Sequence, residues 1–174
     1  MNICFTDIET TGLDFRKHEI IEIGAVLFHA ETGNILKTFN EKVMPKSIEL
    51  GDSKAMSING FSFNDWIRSI TLEEAMKKYQ EFSEGSMFAA HNMIFDYSFL
   101  DEASEKTNVP LIFGRHKIDL PSLAWAKGLF SEIPIMSLKN LCLYFEIEPE
   151  PAIHRALTGA MKGYEVYKKI MSCQ

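Results

Sequence analysis

The chain has 174 residues, 46% of them hydrophobic and 24% charged, enough to close one globular domain (1–174) around a proper core. Its formal net charge of −6 argues against a protein that coats duplex DNA by counterion release, because such domains are basic. Cys4, Cys142 and Cys173 are too scattered for a zinc pattern and too few for a disulfide framework, so packing is their expected role.

The first predicted strand covers residues 3–8 and carries Asp7, with Glu9 two positions on. A strand has a side-chain period of two, so both carboxylates project from one face. Like charges side by side repel unless a cation, a proton or a basic side chain compensates them, and no Lys or Arg precedes Arg16. The pair therefore predicts a divalent-metal site. No basic leader with an apolar run precedes this strand, and longer apolar stretches are broken by Glu22 or by polar residues, so a cytoplasmic protein with no membrane attachment is expected.

Residues 20–28 and 35–43 are also rich in β-branched and aromatic side chains, and Glu31-Thr32-Gly33-Asn34 supplies turn chemistry between them. The pattern predicts a three-stranded antiparallel meander. Helical periodicity begins at Thr71-Leu72-Glu73-Glu74, a capping box heading a helix to about residue 82. A short buried strand at 86–90 follows, then helices at about 95–106, 120–129, 138–145 and 155–171, with an extended piece at 117–119. Glu148-Pro149-Glu150-Pro151 reads as a stiff loop.

Two later segments join the acidic strand. His91-Asn92-Met93-Ile94-Phe95-Asp96 follows the strand at 86–90 and opens a helix, placing Asp96 near the C-terminal edge of a sheet, where open α/β folds assemble sites. His154 precedes the last helix and follows the proline-stiffened loop, which would present its imidazole at a fixed angle. Lys127, Lys139, Arg155, Lys162, Lys168 and Lys169 are candidates to steer a short single strand, although for each one an ordinary solvated helix face is the favoured reading.

Four stretches, Phe5-Thr6-Asp7-Ile8-Glu9-Thr10-Thr11-Gly12-Leu13, Ile20-Ile21-Glu22-Ile23-Gly24-Ala25-Val26, the segment from His91 to Asp96, and His154-Arg155-Ala156-Leu157, resemble the DEDDh family of 3′ to 5′ exonucleases. That group includes the proofreading subunit of bacterial DNA polymerase III and ribonuclease T. The resemblance implies an α/β, ribonuclease H-like fold with a mixed five-stranded sheet and helices on both faces. It implies two divalent cations, Mg²⁺ or Mn²⁺, with Asp7 bridging both, Glu9 helping to hold the first and Asp96 serving the second. His154 would be the general base. Thr10, Thr11, Gly12 and Leu13, with Asn92 and Phe95, would bind the terminal nucleotide. The implied partners are a single-stranded nucleic-acid 3′ end and a polymerase or other replication or repair protein.

One position departs from the family pattern. The last motif reads His, four residues, then Asp, and that Asp holds the first metal; here the fifth residue after His154 is Gly159. Glu165 falls on a different helix face, and Glu148 or Glu150 would have to swing in from the preceding loop. Two functional expectations follow: a metal-dependent exonuclease with weakened metal binding, or an impaired relative that binds a nucleic-acid end or polymerase-like partner without cutting. A phosphatase using Asp7 as nucleophile is disfavoured, since no Gly-Asp-x-x-x-Asp pattern is present. Helix propensity predicts that an acidic side chain at position 159 would be tolerated.

Overall fold

The computed structural model describes residues 1–173. Five strands form one sheet, β1 (Asn2–Thr10), β2 (Ile20–His29), β3 (Ile35–Lys42), β4 (Met87–Ala90) and β5 (Lys117–Asp119), in the order β3-β2-β1-β4-β5. The first three are antiparallel neighbours, whereas β4 runs parallel to β1 and β5 parallel to β4. The expected meander is present, and its β2-to-β3 turn closes through Gly33, whose φ of 67° suits the left-handed region. The helices are α1 (Ser53–Asn59), α2 (Phe63–Trp66), α3 (Leu72–Ser83), α4 (Met93–Thr107), α5 (Leu120–Ala126), α6 (Leu138–Tyr144) and α7 (Ala156–Ser172). Among the described residues, no helix is long and apolar enough to cross a membrane.

Strand alternation divides the core between the two sheet faces. Ile3 and Phe5 of β1 join Val26 and Phe28 of β2 beneath α5, α6 and α7, while Cys4 and Ile8 join Ile23 and Ala25 against Met76 and Tyr79 of α3 and Leu100 of α4. Cys4 and Cys142 are buried free thiols, as expected for packing residues. The Thr71 capping box forms in both directions, with the Glu74 N–H donating to the Thr71 hydroxyl and the Thr71 N–H donating to the Glu74 carboxylate. The predicted helix at 120–129 is shorter than expected: α5 stops at Ala126 because Gly128 turns the backbone left-handed, at φ 83°.

Residues 47–66, which carry no prediction, hold a 3-10 turn at Ile48–Leu50 and then α1 and α2. Asp52 caps α1 by accepting from the N–H groups of Lys54 and Ala55, and Gly60 ends it in a left-handed conformation at φ 60°. The indole N–H of Trp66, fully buried, donates to the Ile21 carbonyl at 2.8 Å and fastens this segment onto β2.

The last helix lies unusually close to the sheet. A Cβ at Gly163 would overlap the Phe5 ring, and one at Gly24 would overlap the backbone of Ala156 and Leu157, where α7 begins. A flexible side chain can move aside, but a helix backbone cannot move without lifting the helix. Gly24→Ala should therefore lower the unfolding free energy by about 2–3 kcal/mol, against the modest gain that Gly→Ala ordinarily brings in a strand. A urea midpoint equal to or above that of the parent would show that α7 does not rest on Gly24.

Candidate active site

The site is built where β1 ends. Asp7 and Glu9 leave β1 on the face covered by α7, with Asp7 opposite Gly24 and Glu9 opposite Glu22 in the β1–β2 register. Directly opposed residues of an antiparallel pair share a face, so Glu9 and Glu22 place like charges side by side. Asp96 sits in the first turn of α4, only 3% exposed, and its Oδ1 accepts the Ile8 N–H at 3.2 Å. Ile8 lies between Asp7 and Glu9, so this one bond ties a third carboxylate to the strand pair from 88 residues away in sequence. On the other side, a Cβ at Gly159 would overlap the Asp7 carboxylate and lie 3.2 Å from Glu150 Oε1.

Burial raises every carboxyl in the group, and neighbouring carboxylates add to the shift at Asp7, Glu9 and Asp96. Burial, then Asp96, Glu9, Glu150 and Glu22, push the Asp7 carboxyl well above the usual carboxylate range, although the residue keeps a partial opening to solvent. Glu9 rises to about 8, through burial first and then Glu22 and Glu150. Asp96 also rises to about 8, chiefly through burial, with the N–H donated by Ile8 opposing the shift. Glu22, 1% exposed, is raised by burial, with Arg155 opposing. The Arg155 guanidinium stands 3.9 Å from Glu22 Oε2, a basic side chain supplied by the far end of the chain that partly offsets the repulsion.

These residues fit a hard divalent cation. All donors are carboxylate oxygens, the ligand type Mg²⁺ and Mn²⁺ take. Two of the buried oxygens, Glu22 Oε2 and Glu150 Oε1, have no hydrogen-bond partner. Among the described residues no three His, Cys, Asp or Glu side chains are already gathered as a metal-holding group.

His154 stands just before α7 with its N–H donating to the Ile58 carbonyl at 3.0 Å. It lines a cavity of about 390 Å³ together with Glu150, His91 and Lys139. A second groove, of about 360 Å³, lies across Glu9 and is lined by Leu13, Ile58 and Phe95. Leu13 is 82% exposed there, a large apolar side chain presented to solvent at the rim. Thr10 and Thr11 turn their hydroxyls into the structure: Thr10 donates to the Gly12 carbonyl at 2.6 Å, and Thr11 accepts from the Glu19 N–H at 2.9 Å. Asn92 is exposed at the head of α4, where its carbonyl accepts the N–H groups of Phe95 and Asp96.

Sequence reasoning missed four contributors. Glu22 was visible as an acid inside the apolar run Ile20-Ile21-Glu22-Ile23, a position where burial needs a reason. His91, with Nδ1 buried and unpartnered and its pKa lowered by burial to about 4, had no local signal. Ile58 and Asn59 of α1 tie the site's two ends together: the Asn59 amide donates to the Thr10 carbonyl at 2.9 Å, and Arg155 donates to the Asn59 carbonyl. A Cβ at 159 would meet the end of the Asp7 side chain and no backbone, so an acidic side chain there requires the Asp7 carboxylate to shift. Of the six basic candidates, Lys127 donates to the Cys173 carbonyl, Lys162 pairs with Glu165, and Arg155 is engaged as above.

The raised carboxyls set a pH dependence. Each binds a proton more readily in the fold than in the unfolded chain, so this stabilisation is complete below about pH 4 and is lost as pH rises through about 8. In chelator, the thermal midpoint should fall between pH 5 and pH 8.5, and millimolar Mn²⁺ at pH 8 should restore it. A flat or rising midpoint over that range would remove the crowding.

Residues 4–167 match the family model described as exonuclease, the RNase T family. The PolC-type DNA polymerase III of Caldanaerobacter subterraneus subsp. tengcongensis is 31% identical over 95% of this chain and 11% of its own length. The chain thus spans about a tenth of the length of the curated relatives it matches. Among solved structures, the nuclease domain of 3′hExo, a DEDDh family member bound to rAMP, superposes with a TM-score of 0.75 at 19% identity, covering 99% of this chain and 93% of that one. The zinc-bound complex of E. coli exonuclease I with single-stranded DNA gives 0.83 at 15% identity, covering 99% and 41%. The mixed sheet is the ribonuclease H-like fold of these exonucleases, and with nearly its whole length matched the chain belongs to the RNase T exonuclease family, as its DEDDh-type stretches anticipate.

Proposed function

We propose that the chain is a metal-dependent 3′ to 5′ exonuclease that removes nucleotides from the 3′ end of single-stranded DNA or RNA. The observation that carries this reading is the bond from the Ile8 N–H to Asp96, which holds a third carboxylate beside the Asp7–Glu9 pair. Asp7 would bridge two divalent cations, Mg²⁺ or Mn²⁺, with Glu9 on the first and Asp96 serving the second. When bound, such a pair lowers the pKa of a water and neutralises the departing 3′ oxygen.

The chain's own groups supply the rest. His154 takes the proton of the attacking water as its oxygen bonds to phosphorus and the bond from phosphorus to the 3′ oxygen breaks. The departing 3′ oxygen takes a proton from solvent, so the strand is left with a 3′ hydroxyl, and the nucleotide leaves with its phosphate. Leu13 and Phe95, on the apolar groove beside Glu9, would hold the terminal base by stacking and wedging. Thr10, Thr11 and Gly12 would shape the turn against which that nucleotide lies, and Asn92 would sit at its edge. The polymerase named in the relatives supports a polymerase partner for this chain. Gly159, which offers no ligand, favours weakened metal binding and supports a second reading in which the chain holds a nucleic-acid end without cutting.

Single strands labelled at the 5′ end test the first reading. With Mn²⁺ the parent should produce a descending ladder from the unlabelled 3′ end, and Asp7→Asn should abolish it while leaving the fold intact. An unchanged ladder from Asp7→Asn would remove the metal mechanism, and binding without any ladder from the parent would favour the second reading. His154→Ala should slow cleavage by about 10²-fold or more with little change in strand affinity. Equal rates would show that another group accepts the proton.

A further inference from the structure

The geometry points to Glu150 as the carboxylate that takes the place left by Gly159, a metal ligand delivered from the loop before α7 instead of from the helix itself. This rests on the metal-dependent reading above and deepens it.

Three observations meet at one spot. A Cβ at 159 would overlap Asp7 Oδ2 and lie 3.2 Å from Glu150 Oε1, so both oxygens border the space a side chain at 159 would fill. Glu150 Oε1 is buried and has no hydrogen-bond partner, as is Glu22 Oε2 nearby in the same acidic group. A buried carboxylate oxygen without a donor is unfavourable unless a cation completes it. The charge of Glu150 also reaches Asp7 and Glu9, pushing both carboxyls up.

Chain chemistry explains how the loop can do this. Glu150 stands between Pro149 and Pro151. Both rings fix φ, and Pro151 also biases Glu150 toward an extended backbone, so the carboxylate is aimed by a stiff frame with little entropy left to lose. Glu is one methylene longer than the Asp of the family motif, which offsets its more distant origin. The exchange is reciprocal. A side chain at 159 would press on Glu150 Oε1, and without Glu150 the opening beside Asp7 would lack its carboxylate.

Calorimetric titration of Mn²⁺ into the full chain, together with the thermal midpoint in Mn²⁺ and in chelator, tests this. Glu150→Gln should weaken Mn²⁺ binding by about tenfold or more and shrink the metal-induced rise in midpoint, while its midpoint in chelator stays level or rises because a repulsive charge is gone. Glu150→Asp, one methylene short, should lose the same affinity. Glu148→Gln, exposed in the same loop, should bind as the parent does. If Glu150→Gln keeps the parent's affinity while Asp7→Asn loses it, Glu150 is no ligand and the metal-dependent reading stands without it. If the parent takes up no Mn²⁺, or Asp7→Asn binds it equally well, both the reading and this assignment fall. A changed pH profile of cleavage in Glu150→Gln with unaltered Mn²⁺ affinity would make Glu150 a positioning residue for His154 and overturn the assignment.

Discussion

Asp7, Glu9, Glu22, Asp96 and Glu150 converge from two strands, a helix and a loop at the end of β1, and the burial of so many carboxyls beside one another is the constraint around which the structure is arranged. Each unit by which a fold raises a carboxyl corresponds to roughly 1.4 kcal/mol against its charged form. Asp96, raised to about 8, therefore keeps its proton at neutral pH unless a cation takes that proton's place. Arg155 offsets part of this at Glu22, but from 3.9 Å and without a hydrogen bond to that oxygen. A protein selected only for stability would replace such a group with apolar side chains. Its retention is what a cation site requires.

The fold holds these charges together by removing the freedom to separate. Asp96 is fixed by the Ile8 backbone, and Asp7 is hemmed in by the start of α7, which approaches the sheet because Gly24, Gly159 and Gly163 offer no side chains to hold it off. The α1 segment closes the arrangement. Its Ile58 and Asn59 bond to His154, Arg155 and Thr10, so the strand end and the head of α7 share one clamp. Apolar packing on both sheet faces supplies the stability against which this local penalty is tolerated.

Much of this was legible in the sequence, for identifiable reasons. The strand period placed Asp7 and Glu9 on one face, and the capping box at Thr71 announced α3, because both signals are local. The strand-to-helix step at His91 to Asp96, taken together with the other motifs, pointed to a third carboxylate. What sequence could not show was distance across the chain. Segment 47–66 is built from short helices whose periodicity never completes enough turns to be recognised, although Asp52 and Gly60 mark the ends of α1. Glu150 looked like one of two loop acids that would have to move. Its place opposite Gly159 depends on how closely α7 lies on β1, which no pattern of residue types records.

In the proposed function this carboxylate group holds the cations that serve phosphodiester hydrolysis. Anomalous diffraction from crystals soaked in Mn²⁺ and a nucleoside 5′-monophosphate tests it most directly. Manganese peaks are expected against Asp7, with Glu9 and Glu150 drawn onto one ion and the phosphate of the nucleotide beside it. Crystals that bind the nucleotide while the carboxylates stay apart and no manganese peak lies near Asp7 would contradict it.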